Sequence, residues 1–166
     1  MLIFLAYICK KHTVTTLAFV GYMTFLILHV IAAHYLYSYV PYNDWLIKLF
    51  DFDLDKTFGF ERNMFDRLVH FSFGFCLYPF LFMLCKLWAY PLQKSLKIHV
   101  LTIGLVVASS AIYELIEWGI AIGLSPEEAE NYNGQQGDMW DAHKDMFLAT
   151  LGSIIAGLFM LKTKTH

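Results

Sequence analysis

The sequence predicts an all-α, polytopic membrane bundle of about four spanning helices, and three observations predict it. First, 58% of the 166 residues are hydrophobic and only 16% are charged, too few for the surface of an ordinary water-soluble domain. Second, four long apolar segments lie near residues 15–37, 65–88, 98–124 and 139–161. Each is long enough to cross a hydrocarbon core of roughly 30 Å with some tilt. Third, these segments lack period-two alternation, and lipid tolerates only helices or closed barrels. Four such spans and their connections use the whole chain, so residues 1–166 read as a single transmembrane domain whose first partner is the lipid bilayer. A formal net charge of −2 gives no reason to expect a nucleic-acid partner.

Residues 1–9 are apolar but too short to span, and Lys10 and Lys11 follow the apolar run instead of preceding it. The order is wrong for a signal peptide and reads as the end of a helix whose beginning is missing or short. After the first span, residues 38–64 hold Pro41, Asn43, Asp44 and Gly59 around a mixed piece, Trp45-Leu46-Ile47-Lys48-Leu49-Phe50. Its aromatic and cationic side chains suit a segment lying in the membrane interface. A short basic turn with Lys86, Pro91, Lys94 and Lys97 joins spans two and three; Ser125-Pro126-Glu127-Glu128 and the turn signal Asn133-Gly134 join spans three and four. Cys9, Cys76 and Cys85 lie inside apolar runs and form neither a disulfide pattern nor a metal knuckle. Gly152 and Ala156, four apart, fit a small-residue helix contact.

With four spans, Lys10, Lys11, Lys86, Lys94, Lys97, Lys162 and Lys164 fall on one side, against Lys48, Lys56, Arg62, Arg67 and Lys144 on the other. The first side is expected to be cytoplasmic, with both termini there. All fourteen Asp and Glu fall on the second, outer side.

That topology brings polar residues of all four spans to one level: His29 and His34 late in the first, Asp66, Arg67 and His70 early in the second, Glu114 and Glu117 late in the third, and Asp138, Asp141 and Asp145 at the start of the fourth. Asp66 and His70 are four apart, Glu114 and Glu117 three apart, and the aspartates three and seven apart, so each set shares a helix face. Ionisable groups at membrane depth are costly unless paired, bound to a cation or wet, so these side chains are expected to face the bundle interior. Their charge balance calls for Arg67, Lys144, a proton or a divalent metal; carboxylates with one or two His suit magnesium, manganese, zinc or iron. Candidate metal ligands are therefore His34, His70, Glu114, Glu117, Asp138, Asp141 and Asp145, and candidate catalytic groups are Glu114, Glu117, Asp141, His70 and Arg67. Blander roles compete. Asp138, and Asn63 with Asp66, match helix-capping patterns, and Glu114 and Glu117 would be satisfied by a salt bridge to Arg67 or Lys144. His29 reads as a hydrogen-bonded packing residue, and His12, His99, His143 and His166 are given no role. No Walker loop, Gly-x-Ser-x-Gly, His-Glu-x-x-His or Cys-x-x-Cys motif is present.

The string Leu28-His29-Val30-Ile31-Ala32-Ala33-His34-Tyr35, then Ser38-Tyr39-Val40-Pro41-Tyr42, Phe65-Asp66-Arg67-Leu68-Val69-His70-Phe71-Ser72-Phe73-Gly74, Tyr113-Glu114-Leu115-Ile116-Glu117-Trp118, and Gln136-Gly137-Asp138-Met139-Trp140-Asp141 through Asp145-Met146 resembles the YjdF-like bacterial inner-membrane family. The resemblance covers most of the chain and implies a location in the bacterial inner membrane. It also implies an additional hydrophobic hairpin in front, of which residues 1–9 look like the tail. A looser similarity to VanZ-like proteins, associated with glycopeptide resistance, places Asp66, Arg67, His70, Glu117, Asp138 and Asp145 at motif positions and implies an envelope-facing role.

Three readings follow. The cluster is a metal-dependent enzyme site for a lipid or lipid-linked envelope substrate, with Arg67 holding an anionic group. Alternatively it is a binder or small transporter for a cation, a proton or an amphiphilic ligand such as a lipopeptide antibiotic, which four helices would achieve as a homodimer. Or it is a salt-bridged staple fixing the bundle.

Overall fold

The computed structural model describes residues 1–89, 95–125, 128–129 and 134–163, and every regular element among them is an α-helix. Of the expected turns, Pro91, Lys94, Pro126, Glu127 and Asn133 lie outside the described residues, as do His166 and Lys164.

Helix α1 (Leu2–Lys11) buries Leu5 and Ile8, and the Tyr22 hydroxyl donates to the Met1 carbonyl at 2.9 Å. Helix α2 (Thr16–His34) starts where the Thr15 hydroxyl accepts the Ala18 N–H. It buries Ala18, Tyr22, Phe25 and Ala32, which recur at helical spacing. Leu36 and Tyr37 then both adopt the left-handed backbone, at φ 50° and 58°. Non-glycine residues rarely take this conformation, and here it turns the Tyr37 ring back onto His29.

The expected interfacial segment is a helical hairpin, α3 (Tyr42–Phe50) and α4 (Leu54–Phe58), neither with a buried residue. Asn43 ties the two together: its Oδ1 accepts the N–H groups of Leu54 and Asp55, and its Nδ2 donates to Asp53.

The second apolar segment departs from the expected single span. It is two helices, α5 (Phe65–Cys76) and α6 (Tyr78–Trp88), bent by 41° at Leu77. Pro79 is the cause: it has no N–H for the carbonyl four residues back, and its ring crowds that carbonyl, so a straight helix cannot pass through. Among the described residues, three helices are long and apolar enough to cross a membrane, and up to four spans result if the bent pair counts as one. The other two spans are α7 (Ser95–Ala121) and α8 (Asp141–Thr163). Helix α8 begins two residues later than expected, because the Asp138 carboxylate takes the Trp140 N–H in a turn ahead of the helix.

Helices α5 and α8 run parallel and nearly touch along their backbones. A Cβ on Gly74 would meet the Ala149 carbonyl oxygen at 1.8 Å, and one on Gly152 would meet the Phe71 carbonyl oxygen at 2.4 Å. The small-residue contact expected on the last span is thus real at Gly152, and Ala156 is buried farther along. Helix α7 runs antiparallel to both, with Glu114 near His70 at one end and His99 against the buried Tyr78 at the other. This arrangement carries the N-terminal turns of α5 and α8 and the C-terminal part of α7 to the same end of the bundle.

Candidate functional site

The site has two parts, and the outer one is a lattice of ion pairs. Arg67, on the first turn of α5, is buried among three aspartates: Nη1 lies 2.6 Å from Asp145 Oδ1 and donates to the Asp141 carbonyl, while Nη2 reaches Asp138 at 3.1 Å and Asp141 at 2.5 Å. Arg62, in the loop before α5, adds Nη1 bonds to Asp141 at 2.8 Å and Asp138 at 3.4 Å and donates to the Gln135 and Gly134 carbonyls. A reciprocal amide clamp lies beside it, in which the Asn63 N–H donates to Gln136 Oε1 and Gln136 Nε2 donates to the Asn63 carbonyl. Arg62, Asn63 and Gln136 were not legible as site residues, since each sits in a polar loop where solvation is the default. Both terminal nitrogens of Arg67 are engaged by aspartates, so the guanidinium ties α5 to α8.

Asp138 caps this lattice outside the spans. The Lys144 ammonium at 2.6 Å and the Trp140 N–H hold its carboxyl below the ordinary carboxylate range. A carboxylate depressed in the folded state stabilises the fold above its unfolded pKa of about 3.9 and loses that contribution as pH falls through the lower folded value. Acidification from about pH 7 to about 5 is therefore expected to leave this loop docked, and acidification below about 4 to release it. The readout is the part of the tryptophan emission that Trp140→Phe removes, and Asp138→Asn should flatten the acid transition.

The inner part surrounds His70, one turn deeper on α5. His70 Nε2 lies 3.5 Å from Asp66 Oδ1, and His70 Nδ1 lies 3.7 Å from Glu114 Oε1. Ligand atoms of Asp66, His70 and Asp145 all fall within 4.8 Å of one another, a spacing that a single metal ion can bridge. Asp66 and Asp145 are buried, Asp145 at 2% exposure. Asp66 is thus not a capping residue; Asn63 Oδ1 instead accepts the Phe65 N–H at the start of α5. Glu114 is nine-tenths buried, and its Oε1 has no hydrogen-bond donor among the described residues. Glu117 is half-buried, and its carboxylate interacts with the Tyr113 hydroxyl. The expected bridges from these glutamates to Arg67 or Lys144 are not made, because both cations are engaged by aspartates. Six carboxylates, of Asp66, Glu114, Glu117, Asp138, Asp141 and Asp145, thus sit with three permanent cations, Arg62, Arg67 and Lys144.

His34 is not brought into this group. It ends α2 exposed, its ring edge-on to Tyr35. His29 is the packing residue that its position suggested, stacked on Phe25 with Nδ1 3.2 Å from the Tyr37 hydroxyl. Cavities lie on both sides of the His70–Glu114 contact. One, of about 300 Å³, is walled by α2, α5 and α7 and is lined by His70; the other, of about 390 Å³, lies between α7 and α8 and is lined by Glu114, Glu117 and Asp141.

A helical bundle with apolar spans and a buried acidic–basic group at one end defines a multi-pass membrane protein. The chain belongs to the family described as "Predicted membrane protein (DUF2238)", which matches residues 1–166. It is 30% identical over 156 residues to the inner membrane protein YjdF of Escherichia coli (strain K12), covering 92% of this chain and 68% of that protein. No solved structure matches.

Proposed function

We propose that this chain is an inner-membrane enzyme in which Asp66, His70 and Asp145 hold a divalent cation and act on the head of a lipid or lipid-linked substrate at the outer face. The observation that carries this reading is the disposition of the two His70 nitrogens: Nε2 is turned to Asp66 and Nδ1 to the otherwise unpartnered Glu114 oxygen. Histidines that bind metals characteristically offer one nitrogen to the ion and the other, as N–H, to a carboxylate that fixes the tautomer. The charge balance supports the same reading, since a divalent ion offsets the surplus of carboxylates. Bound there, the ion would supply Lewis acidity; magnesium, manganese, zinc and iron all suit an oxygen-rich set with one imidazole. Glu114 orients His70, Glu117 stands beside Tyr113 as a proton acceptor, and the Arg62–Arg67–aspartate lattice holds α5 and α8 in register around them.

The excess of Lys on the opposite end of the bundle supports an outward-facing site and cytoplasmic termini. The inner-membrane address in the name of the E. coli relative is compatible with a lipid-linked substrate. A second reading, a binder or cation-coupled transporter working as a homodimer, is favoured by one feature: the His70–Glu114 contact separates two cavities, as a gate would.

The test is turnover of a fluorescently tailed lysophosphatidylethanolamine by the purified protein in nanodiscs with each of the four metals. Metal-dependent conversion that falls by at least about 10²-fold in His70→Ala is expected. Retention of full conversion by His70→Ala, or no conversion with any metal, contradicts the enzyme reading.

A further inference from the structure

We infer that the cavity walled by α2, α5 and α7 seats a single acyl chain, head toward His70 and tail toward Leu77, with the Ser110 hydroxyl bonded to the polar group that follows the head. This rests on the amphiphilic substrate proposed above and narrows its class to lipids with a free or singly extended acyl chain.

The lining is graded along the bundle axis. His29, His70, Tyr37 and Tyr113 stand at the end that carries the carboxylates, while Met1, Phe25, Phe73 and Leu77 close the deeper end. A pore for ions would carry polar groups throughout, and a packing defect would have no polar end. At roughly 30 Å³ for each water-sized group, about 300 Å³ admits on the order of ten chain atoms, one slender chain and not two.

Ser110 points to the ligand independently of this grading. It is 3% exposed, lines the cavity, and its Oγ has no hydrogen-bond partner among the described residues. A serine inside a helix ordinarily satisfies itself on the carbonyl one turn back. Thr102 and Thr150 do so here, on Ile98 and Met146. A buried hydroxyl left unsatisfied is costly, and a carbonyl or hydroxyl of a bound chain would remove that cost. Ser110 lies four residues before Glu114 on α7, so the group it meets sits one helical turn below the acidic site.

The test is photolabelling of the full chain, in nanodiscs of phosphatidylcholine, with 3-hydroxydecanoic acid, whose hydroxyl is the polar group after the head, bearing a diazirine near its methyl end. Label is expected on the peptides of Phe25, Phe73 and Leu77, competed by unlabelled 3-hydroxydecanoic acid. Ser110→Ala, which keeps the volume of the wall, is expected to lower the yield by roughly fivefold, the worth of one hydrogen bond. Phe73→Ala is expected to shift the preference to longer chains. Label spread without competition over the exposed Ile112 and Leu115, or yields unchanged in both variants, overturns the proposal. The measurement is made with chelator present and repeated on His70→Ala. Labelling that persists there keeps the acyl cavity apart from the metal reading, so the failure of one does not pass for the failure of the other.

Discussion

Arg67→Leu is expected to destabilise the protein by about 3–5 kcal/mol, the cost of removing one partner from a buried ion pair. Asp145 suffers most, because it is 2% exposed and Arg67 is the permanent cation within ion-pair distance of it among the described residues. Asp141 and Asp138 keep Arg62, and Asp138 keeps Lys144 as well. Arg62→Leu, at a half-buried loop position, is therefore expected to cost distinctly less. Arg67→Lys should recover only part of the loss, since a point charge cannot reproduce the fork that reaches three aspartates at once. Pairing Arg67→Leu with Asp145→Leu should restore much of the stability, because no unpaired buried charge then remains on Asp145. Thermal unfolding in detergent measures each variant; an Arg67→Leu midpoint equal to that of the wild type contradicts the lattice as a stabilising device.

The second large effect is expected at the α5–α8 crossing. Gly74→Ala places a methyl 1.8 Å from the Ala149 carbonyl oxygen and 2.9 Å from the Ser153 nitrogen, both backbone atoms that cannot step aside as a side chain would. The helices must separate, at a cost of about 3 kcal/mol or more, the upper end of overpacking effects. Separation would also move Asp145, on α8, away from Arg67 and His70, on α5, so loss of metal binding is expected to accompany loss of stability. Gly104→Ala is the control: nothing lies within 4 Å of its added Cβ, and removing a helical glycine stabilises by up to about 1 kcal/mol. If the two variants melt alike, the close crossing is not what holds the bundle.

Much of this architecture is legible in the sequence, for a physical reason. Lipid forces each crossing to declare itself as a long apolar run, and costly charges at membrane depth must face one another, so the convergence of Asp66, His70, Glu114 and Asp145 follows from topology and helical spacing. The break at Leu77 was readable from Pro79 but masked by the unbroken hydropathy of residues 65–88. Which cation meets which carboxylate was not readable. Arg67 and Lys144 were equally suited to Glu114 or to the aspartates, and the choice is made by the parallel packing of α5 and α8, itself set by the contact between Gly74 and Gly152. Arg62 was hidden because a loop arginine is ordinarily solvated; its spacing five residues before Arg67, opposite three aspartates, was the available signal. His34 misled because its position in the sequence is level with the site, whereas its side chain leaves the bundle toward Tyr35.

The most direct test of the central claim is manganese binding by the purified chain, followed by electron paramagnetic resonance. A single saturable ion is expected in the wild type, lost in Asp66→Asn and in His70→Ala and retained in Asp138→Asn, which touches only the outer lattice. Binding of manganese to wild type, Asp66→Asn and His70→Ala alike, or to none of them with magnesium, zinc and iron(II) also failing to bind, would contradict a metal centre at Asp66, His70 and Asp145.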